Sequence, residues 1–298
     1  YAGEFAGKYI SAALLSADTI EGGGITVKPN VKYKEVMKTL STNALVKDAA
    51  CDFADQSTVT LAERILQPEE FQVNLELCKK DFHNDWEAIQ MGYSAFDSLP
   101  PSFADFLIGH IAAKVAQKTE ETIWTGTTAT AGEFDGFATL LAADATVIDV
   151  VGTTVTAANV IDELGKVVDA IPTAVYGKED LYIYVSQSIA RAYVRALGGF
   201  GASGLGANGV NNAGTTWYNG GDLAFDGVKL FVCSGMADND MVAAQKSNLF
   251  FGTGLLSDHN EVKLIDMADL DGSQNVRVVM RFTSGVQYGI GADIVYYT

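Results

Sequence analysis

The side chains that could carry chemistry in this chain are a glycine-rich stretch, three histidines, three cysteines and a few clustered aspartates. Gly199-Phe200-Gly201-Ala202-Ser203-Gly204 has the G-x-G-x-x-G spacing of a dinucleotide fingerprint, and Gly204-Leu205-Gly206-Ala207-Asn208-Gly209 repeats it. That chemistry needs a strand before the glycines and a helix after them, so that N–H groups at the helix start meet the pyrophosphate. Here the glycines follow a helix end and run into Val210-Asn211-Asn212-Ala213-Gly214-Thr215-Thr216, which carries no helix start. Phosphate binding is therefore not expected. With no charge between Arg195 and Asp222, the stretch reads as a loop placed where subunits could meet.

Metal and nucleophile chemistry find as little support. His83, His110 and His259 are far apart, and Cys51, Cys78 and Cys233 form no C-x-x-C pair. Asp266, Asp269 and Asp271 lack the later glutamate of an EF-hand loop, and Asp238-Asn239-Asp240 reads as a solvated turn. No nucleophile elbow G-x-S-x-G is present, although a Ser-His-Asp or Cys-His set assembled from distant positions stays open. No catalytic residue, cofactor site or metal ligand is predicted, and the chain is expected not to be an enzyme.

Composition narrows the class further. The 298 residues are 48% hydrophobic and 19% charged, with five prolines, enough apolar material for one large domain or two interleaved lobes and no long linker. The formal charge of −17 argues against a surface built to wrap nucleic acid. One stretch departs from the acidic balance: Lys28, Lys32, Lys34, Lys38 and Lys47 fall between Ile25 and Lys47. An anionic partner could be read there, but an extended solvated segment lying on an acidic neighbour is the plainer reading. No apolar run is long enough to span a membrane and no signal core is evident, so a soluble, unexported protein is expected. Scattered cysteines favour a reducing compartment. Tyr1 at the start is read as either a processed end or the ordered part of something longer.

The elements that would position any site begin with Tyr9-Ile10-Ser11-Ala12-Ala13-Leu14-Leu15, helical in pattern, and a Gly22-Gly23-Gly24 hinge. Ser57 to Leu66 and Glu70 to Lys79 alternate apolar and polar residues around Gln67-Pro68-Glu69, predicting an antiparallel pair that protrudes as a hairpin. Phe82, Trp86, Tyr93 and Phe96 read as packing anchors. A long helix is predicted over 103–125, with Ser102 and Asp105 as a capping box and Gly126 as the stop. Phe103, Phe106, Leu107, Ile111, Val115 and Ile123 share its apolar face, Lys114, Lys118, Glu120 and Glu121 lie off it, and His110 sits near the apolar side. At 1.5 Å per residue this beam is roughly 35 Å long.

A second lobe starts near Thr154, where Thr156 is expected to cap a helix facing its core with Val160, Ile161, Leu164, Val167, Val168 and Ile171. The strand Leu181 to Val185, a helix capped by Ser186 and closed by Gly198, and the strand Val228 to Cys233 complete an α/β unit. Strands follow at Leu249 to Gly252, Glu261 to Ile265, Val276 to Phe282 and Val286 to Tyr297, with a turn at Asp271-Gly272.

Several passages carry a family resemblance: Phe82-His83-Asn84-Asp85-Trp86-Glu87, Thr122-Ile123-Trp124-Thr125-Gly126, Gly132-Glu133-Phe134-Asp135-Gly136-Phe137, Phe225-Asp226-Gly227-Val228-Lys229-Leu230-Phe231, Ser247-Asn248-Leu249-Phe250-Phe251-Gly252-Thr253-Gly254 and Gly285-Val286-Gln287-Tyr288-Gly289-Ile290-Gly291. In that order the chain resembles the major capsid proteins of tailed bacteriophages, the Hong Kong 97 type, and within it the crAss-like group. The resemblance implies an α+β fold with an N-terminal arm over 1–55, an extended hairpin (E-loop) over 56–81, a peripheral domain over 82–153 holding the spine helix 103–125, an axial domain over 154–245, and return strands over 246–298. It implies hexamers and pentamers closing as an icosahedral head around double-stranded DNA, assembled in the host bacterial cytoplasm, with portal, scaffolding and decoration proteins as further partners and no membrane. Inter-subunit contacts would fall at Tyr9, Leu14, Gln67, Pro68, Glu69, Gly199, Gly201, Gly204 and Gly206. The lysine-asparagine crosslink of some members has no matching residue set here. An encapsulin-like nanocompartment, or more remotely a small-molecule enzyme using the axial lobe, are the alternatives.

Overall fold

Phe71, Val73, Leu75 and Leu77 alternate with polar residues, and in the computed structural model this alternation becomes β4 (Glu69–Cys78), half-buried on one face and exposed on the other. The structure describes residues 18–42, 46, 48–49, 51, 58–78, 101–197, 223–254 and 263–298. The readings of Tyr9, Leu14, His83, Phe82, Trp86, Tyr93, Phe96, Gly198, His259 and the glycines Gly199, Gly201, Gly204 and Gly206 lie outside the described residues, as do the side chains of Ser102, Phe103, Asp105 and Phe106.

The chain enters through a short helix, α1 (Asp18–Glu21), and β1 (Thr26–Lys28), then forms β2 (Glu35–Thr42) and β3 (Val59–Leu66). The predicted ladder between 57–66 and 70–79 is not the one formed. β3 pairs antiparallel with β2, from Glu35↔Leu66 to Thr42↔Val59, while β4 pairs antiparallel with the long strand β12 (Asn275–Tyr288). Gln67 and Pro68 therefore sit at the root of a β2–β3 hairpin rather than at a tip. Their backbone crosses Gly285, where an added Cβ would lie 3.0 Å from the Gln67 carbonyl oxygen. That close crossing, and not a turn, accounts for Ser284-Gly285: β12 runs through it unbroken where two strands were expected.

The long helix is present as α2 (Pro101–Thr125). Leu107, Ile108, Ile111 and Val115 bury against Val278 and Met280 of β12, with Val73 and Leu75 of β4 at their side. One turn before its end the helix changes partners, and Ile123 and Trp124 enter a second core. His110 is exposed. Glu120, expected on the outer face, is 3% exposed. It accepts the Thr19 amide (3.0 Å) and the Thr19 hydroxyl, and Trp124 Nε1 donates to that same hydroxyl (2.8 Å). The carboxylate thus satisfies the open N–H of α1, and its burial raises its pKa against these hydrogen bonds. The Gly22-Gly23-Gly24 segment is packed rather than hinged: a Cβ on Gly22 or Gly24 would stand 2.8 or 2.9 Å from the Phe231 ring.

After α2 come α3 (Phe137–Ala142), β5 (Ile148–Val150), α4 (Val160–Ala170), β6 (Leu181–Ser186), α5 (Gln187–Leu197), β7 (Ala224–Phe225), β8 (Val228–Cys233), β9 (Met241–Gln245) and β10 (Leu249–Thr253). β11 (Lys263–Asp266), α6 (Ala268–Asp271), β12 and β13 (Val295–Tyr297) complete the order, with Gly272 in the left-handed region at φ 73° closing α6. Ser186 Oγ accepts the Ile189 amide at 3.4 Å, the expected cap of α5. Thr156 does not cap α4; its hydroxyl donates to Asn159 Oδ1 in the turn ahead of the helix, and Asn159 is the residue that precedes the first helical residue, Val160.

Two sheets share the described core. β1-β10-β12-β11, with β4 also on β12, form one; β5-β13-β9-β6-β8-β7 form the other. β6 is buried on both faces, as its near-continuous apolar run Leu181-Tyr182-Ile183-Tyr184-Val185 demands. Leu181, Ile183 and Val185 face α4 and α5, whereas Tyr184 faces Trp124, Phe137 and the first sheet. The result is a mixed α/β fold in which the end of α2 is the common packing element.

Candidate functional site

The β2–β3 hairpin is the part of the described structure least explained by its own chain. Two-stranded hairpins are marginal in water without a covering layer. In this register Val36 faces Ile65, Lys38 faces Glu63, Leu40 faces Leu61 and Thr42 faces Val59, all on one face. Lys38 and Glu63 form an ion pair at 3.6 Å in the middle of that face. Around it Leu40 is 65% exposed, Leu61 67% and Val59 57%, while Val36 and Ile65 are nearly half exposed. Five large apolar side chains in one stripe are far more than scattered surface residues account for, and they mark a binding face.

The hairpin's root is fixed tightly. On its other face Met37 and Leu66 bury with Val31, and Phe250 packs on them. Arg64 donates through Nε to the Gly289 carbonyl (3.0 Å), pairs with Asp144 and lies over the Tyr288 ring, 4.2 Å from its centroid. Tyr288 donates its hydroxyl to Asp144 Oδ2 at 2.7 Å. Burial by itself would raise the Asp144 pKa, but hydrogen bonds from the Thr146 amide, Tyr288 and Arg64 hold it well below the usual carboxylate range. Tyr288, buried and facing that carboxylate, is pushed up to about 12. Gln287 Nε2 adds a bond to the Ile65 carbonyl (3.1 Å). The arginine clamp thus fixes the hairpin, with its exposed apolar stripe, to the loop at Gly289 and to Asp144.

Since the Asp144 pKa is lowered on folding, the clamp's stabilisation is complete above about pH 4 and fades as pH falls through the lowered value. Arg64→Ala leaves a partly buried carboxylate without its cation and is expected to cost about 2 kcal/mol. Hydrogen exchange should show faster opening of 35–42 and 59–66 in the variant at neutral pH, with the wild type approaching it only in strong acid. Equal protection in both proteins at neutral pH would refute the clamp.

The remaining sequence candidates fall elsewhere. Lys28 pairs with Glu35 and stands 4.8 Å from the Phe250 ring centroid, so that part of the basic segment is spent on its own chain. Cys233 is buried with its thiol pushed up by desolvation, Cys78 is half-buried and Cys51 exposed. Asn239 Oδ1 accepts the Val155 amide and Asp240 accepts the Tyr296 hydroxyl at 3.2 Å, so this turn ties the segment ahead of α4 and β13 to the start of β9. Asp266 accepts the Ala268 amide at the start of α6. Among the described residues no three His, Cys, Asp or Glu side chains come together as a metal site. A cleft of about 440 Å³ runs between α2 and β4, lined by Phe71, Val73, Leu75, Ile111 and Val115, with Lys114 and Lys118 on its rim. Lys118 is paired with Glu133, which stands outside that lining. No helix among the described residues is long and apolar enough to cross a membrane.

This architecture has counterparts among solved structures. The chain aligns over 96% of its length with 89% of a chain in the capsid of a native GTA particle, at TM-score 0.64 and 13% identity. A chain from Mycobacterium phage Che8 matches over 100% of this chain and 92% of its own, at TM-score 0.55 and 14% identity. A chain of the satellite phage P4 procapsid, solved with its size determination (Sid) protein, matches over 97% of both, at TM-score 0.55 and 12% identity. At these identities the likeness is one of fold: the chain has the fold of phage capsid structures. No known family model matches the sequence, and no curated protein does.

Sequence reasoning missed the stripe because two of its five side chains, Val36 and Leu40, lie in the segment read for its lysines. Val36 and Leu40 stand four residues apart on one face, but Lys38 and Thr42 share that face and Met37 lies on the other, so no clean period of two marks the segment.

Proposed function

We propose that this chain is the major capsid protein of a tailed-phage head of the Hong Kong 97 type, a structural subunit and not a catalyst. The observation that carries the reading is the exposed apolar stripe on the clamped β2–β3 hairpin, in a chain whose fold is that of capsid structures. A second copy is the natural cover: the stripe is uncharged apart from an internally paired Lys38–Glu63, and every copy offers the same blade to a neighbour. The hairpin is the E-loop of this reading, formed by 35–42 and 59–66, and Gln67, Pro68 and Glu69 act at its root. Subunits join as hexamers and pentamers, with Tyr9 and Leu14 of the arm and Gly199, Gly201, Gly204 and Gly206 of the axial loop at further contacts. The shell encloses double-stranded DNA, and a chain whose net charge is −17 offers packed DNA little to adhere to. Portal, scaffolding and decoration proteins complete the virion.

Sedimentation velocity of the purified chain over a range of concentration and ionic strength tests this. The 31.7 kDa subunit is expected to enter capsomers and then closed particles. A chain that remains a monomer throughout argues against a shell role.

A further inference from the structure

The two helices that cover the outer face of the six-stranded sheet carry opposite charges. α5 turns Ile189, Ala190, Ala192 and Tyr193 into the core and leaves Gln187, Arg191 and Arg195 outside, one turn apart. Arg191 is steadied by Gln187 Oε1 at 3.3 Å. Beside these arginines the helix stops short of covering β8: Val232 is 37% exposed, although Val228 and Leu230 on the same face of that strand are buried. The gap is an open groove of about 420 Å³, floored by Ala190, Val194, Leu223 and Val232, with Arg191 and Arg195 on its lip.

α4 presents the complement. Val160, Leu164, Val167 and Val168 are buried, and the outward side shows Ile161, 47% exposed, with Asp162, Gly165 and Asp169 around it. Its only lysine, Lys166, is held by both Glu163 oxygens at 2.9 and 2.8 Å and leaves the aspartates uncompensated on that helix. A Cβ on Gly165 would meet no atom within 4 Å, so this side is open to a second surface. Along their axes the aspartates are about 10 Å apart and the arginines about 6 Å, a difference that extended arginine side chains span.

We propose that the acidic side of α4 in one copy seats in the α5 groove of the next, Ile161 over Val194 and Val232, and Asp162 and Asp169 against Arg191 and Arg195. The inference rests on the shell reading and gives it a direction. The two surfaces differ, so the contact is head-to-tail, the kind that generates a ring where its rotation closes, as the capsomers of the shell reading require. Arginine suits it because a planar, weakly hydrated guanidinium pairs with carboxylates at lower desolvation cost than an ammonium.

The test reverses charge on each side of the contact in the full chain, under conditions where the wild type assembles. Arg191→Glu with Arg195→Glu, and separately Asp162→Lys with Asp169→Lys, are expected to lower the assembled fraction at a given concentration by about ten-fold or more, as a loss of paired charges met by repulsion at every interface requires. The chain with all four substitutions restores the pairing with its polarity inverted and is expected to assemble within about three-fold of wild type. All four substituted positions are exposed, and thermal melts of the unassembled variants verify that they fold. Reversals that assemble as wild type does, or a fourfold variant as deficient as either double one, overturn the contact while leaving the shell reading intact. A wild-type chain that never assembles contradicts both.

Discussion

Replacing Leu40 and Leu61 together with aspartate is expected to leave a folded chain that no longer forms particles. The two residues face each other across the β2–β3 ladder and are each about two-thirds exposed, so neither contributes to the core of its own subunit. A substitution there costs the isolated chain little, on the order of 0.5 kcal/mol. Under a neighbouring copy the same aspartates become buried charges without partners, at several kcal/mol for each contact. Every copy in a shell carries that penalty, so the loss of assembly should be complete and not graded. Sedimentation velocity reads assembly, and circular dichroism melts read folding. Normal particles from a normally folded Leu40→Asp/Leu61→Asp chain would remove the stripe from the account.

Trp124→Ala is expected to be among the most destabilising single substitutions in the chain. Trp124 is 1% exposed and has ring contacts to Phe137 (5.4 Å) and Tyr184 (5.3 Å), and its indole N–H holds the Thr19 hydroxyl that Glu120 also engages. Truncation opens a cavity between the two sheets and releases the entering α1 segment in one step. About 3–5 kcal/mol should be lost, a third or more of what a domain has in reserve. The expected drop in the melting temperature of the unassembled chain is on the order of 10 °C. A shift of only a degree or two would mean that the two sheets do not depend on this ring for their contact.

How far the sequence foretold this depends on which interactions are local. α2 was legible to within two residues because three- and four-residue spacing and a terminal glycine are written in the segment itself. So were β6, the Ser186 cap, α5 and β8, whose signals lie within a few residues of one another. Glu120 was misplaced on the outer face because its partner, Thr19, is 101 residues away and no periodicity reports it. Pairing failed for the same reason. β4 alternates as expected, whereas the face of β3 that carries Val59 and Leu61 is exposed where half-burial was expected; alternation gives a strand its faces and not its neighbour, and Pro68 between them suggested a turn that the chain uses as a crossing point. Ser284-Gly285 fell between two separate expected strands; in the continuous β12 the missing Cβ of Gly285 makes room for the Gln67-Pro68 backbone.

The candidate site was the least legible part. Arg64, Asp144 and Tyr288 come from three separated segments, and nothing in any one of them announces a clamp. The β3 part of the stripe, Val59 and Leu61, is written as alternation, yet alternation predicts a half-buried strand, and the burial it asks for is absent from the single chain. That mismatch between pattern and exposure is what turns a structural detail into evidence about partners.

The most direct test of the account is a three-dimensional reconstruction, by electron cryomicroscopy, of the particles formed by the purified chain. A closed shell is predicted in which Val36, Leu40, Val59, Leu61 and Ile65 of each hairpin lie buried against an adjacent copy. Particles in which those five side chains face solvent, or a preparation that holds only monomers, would contradict it.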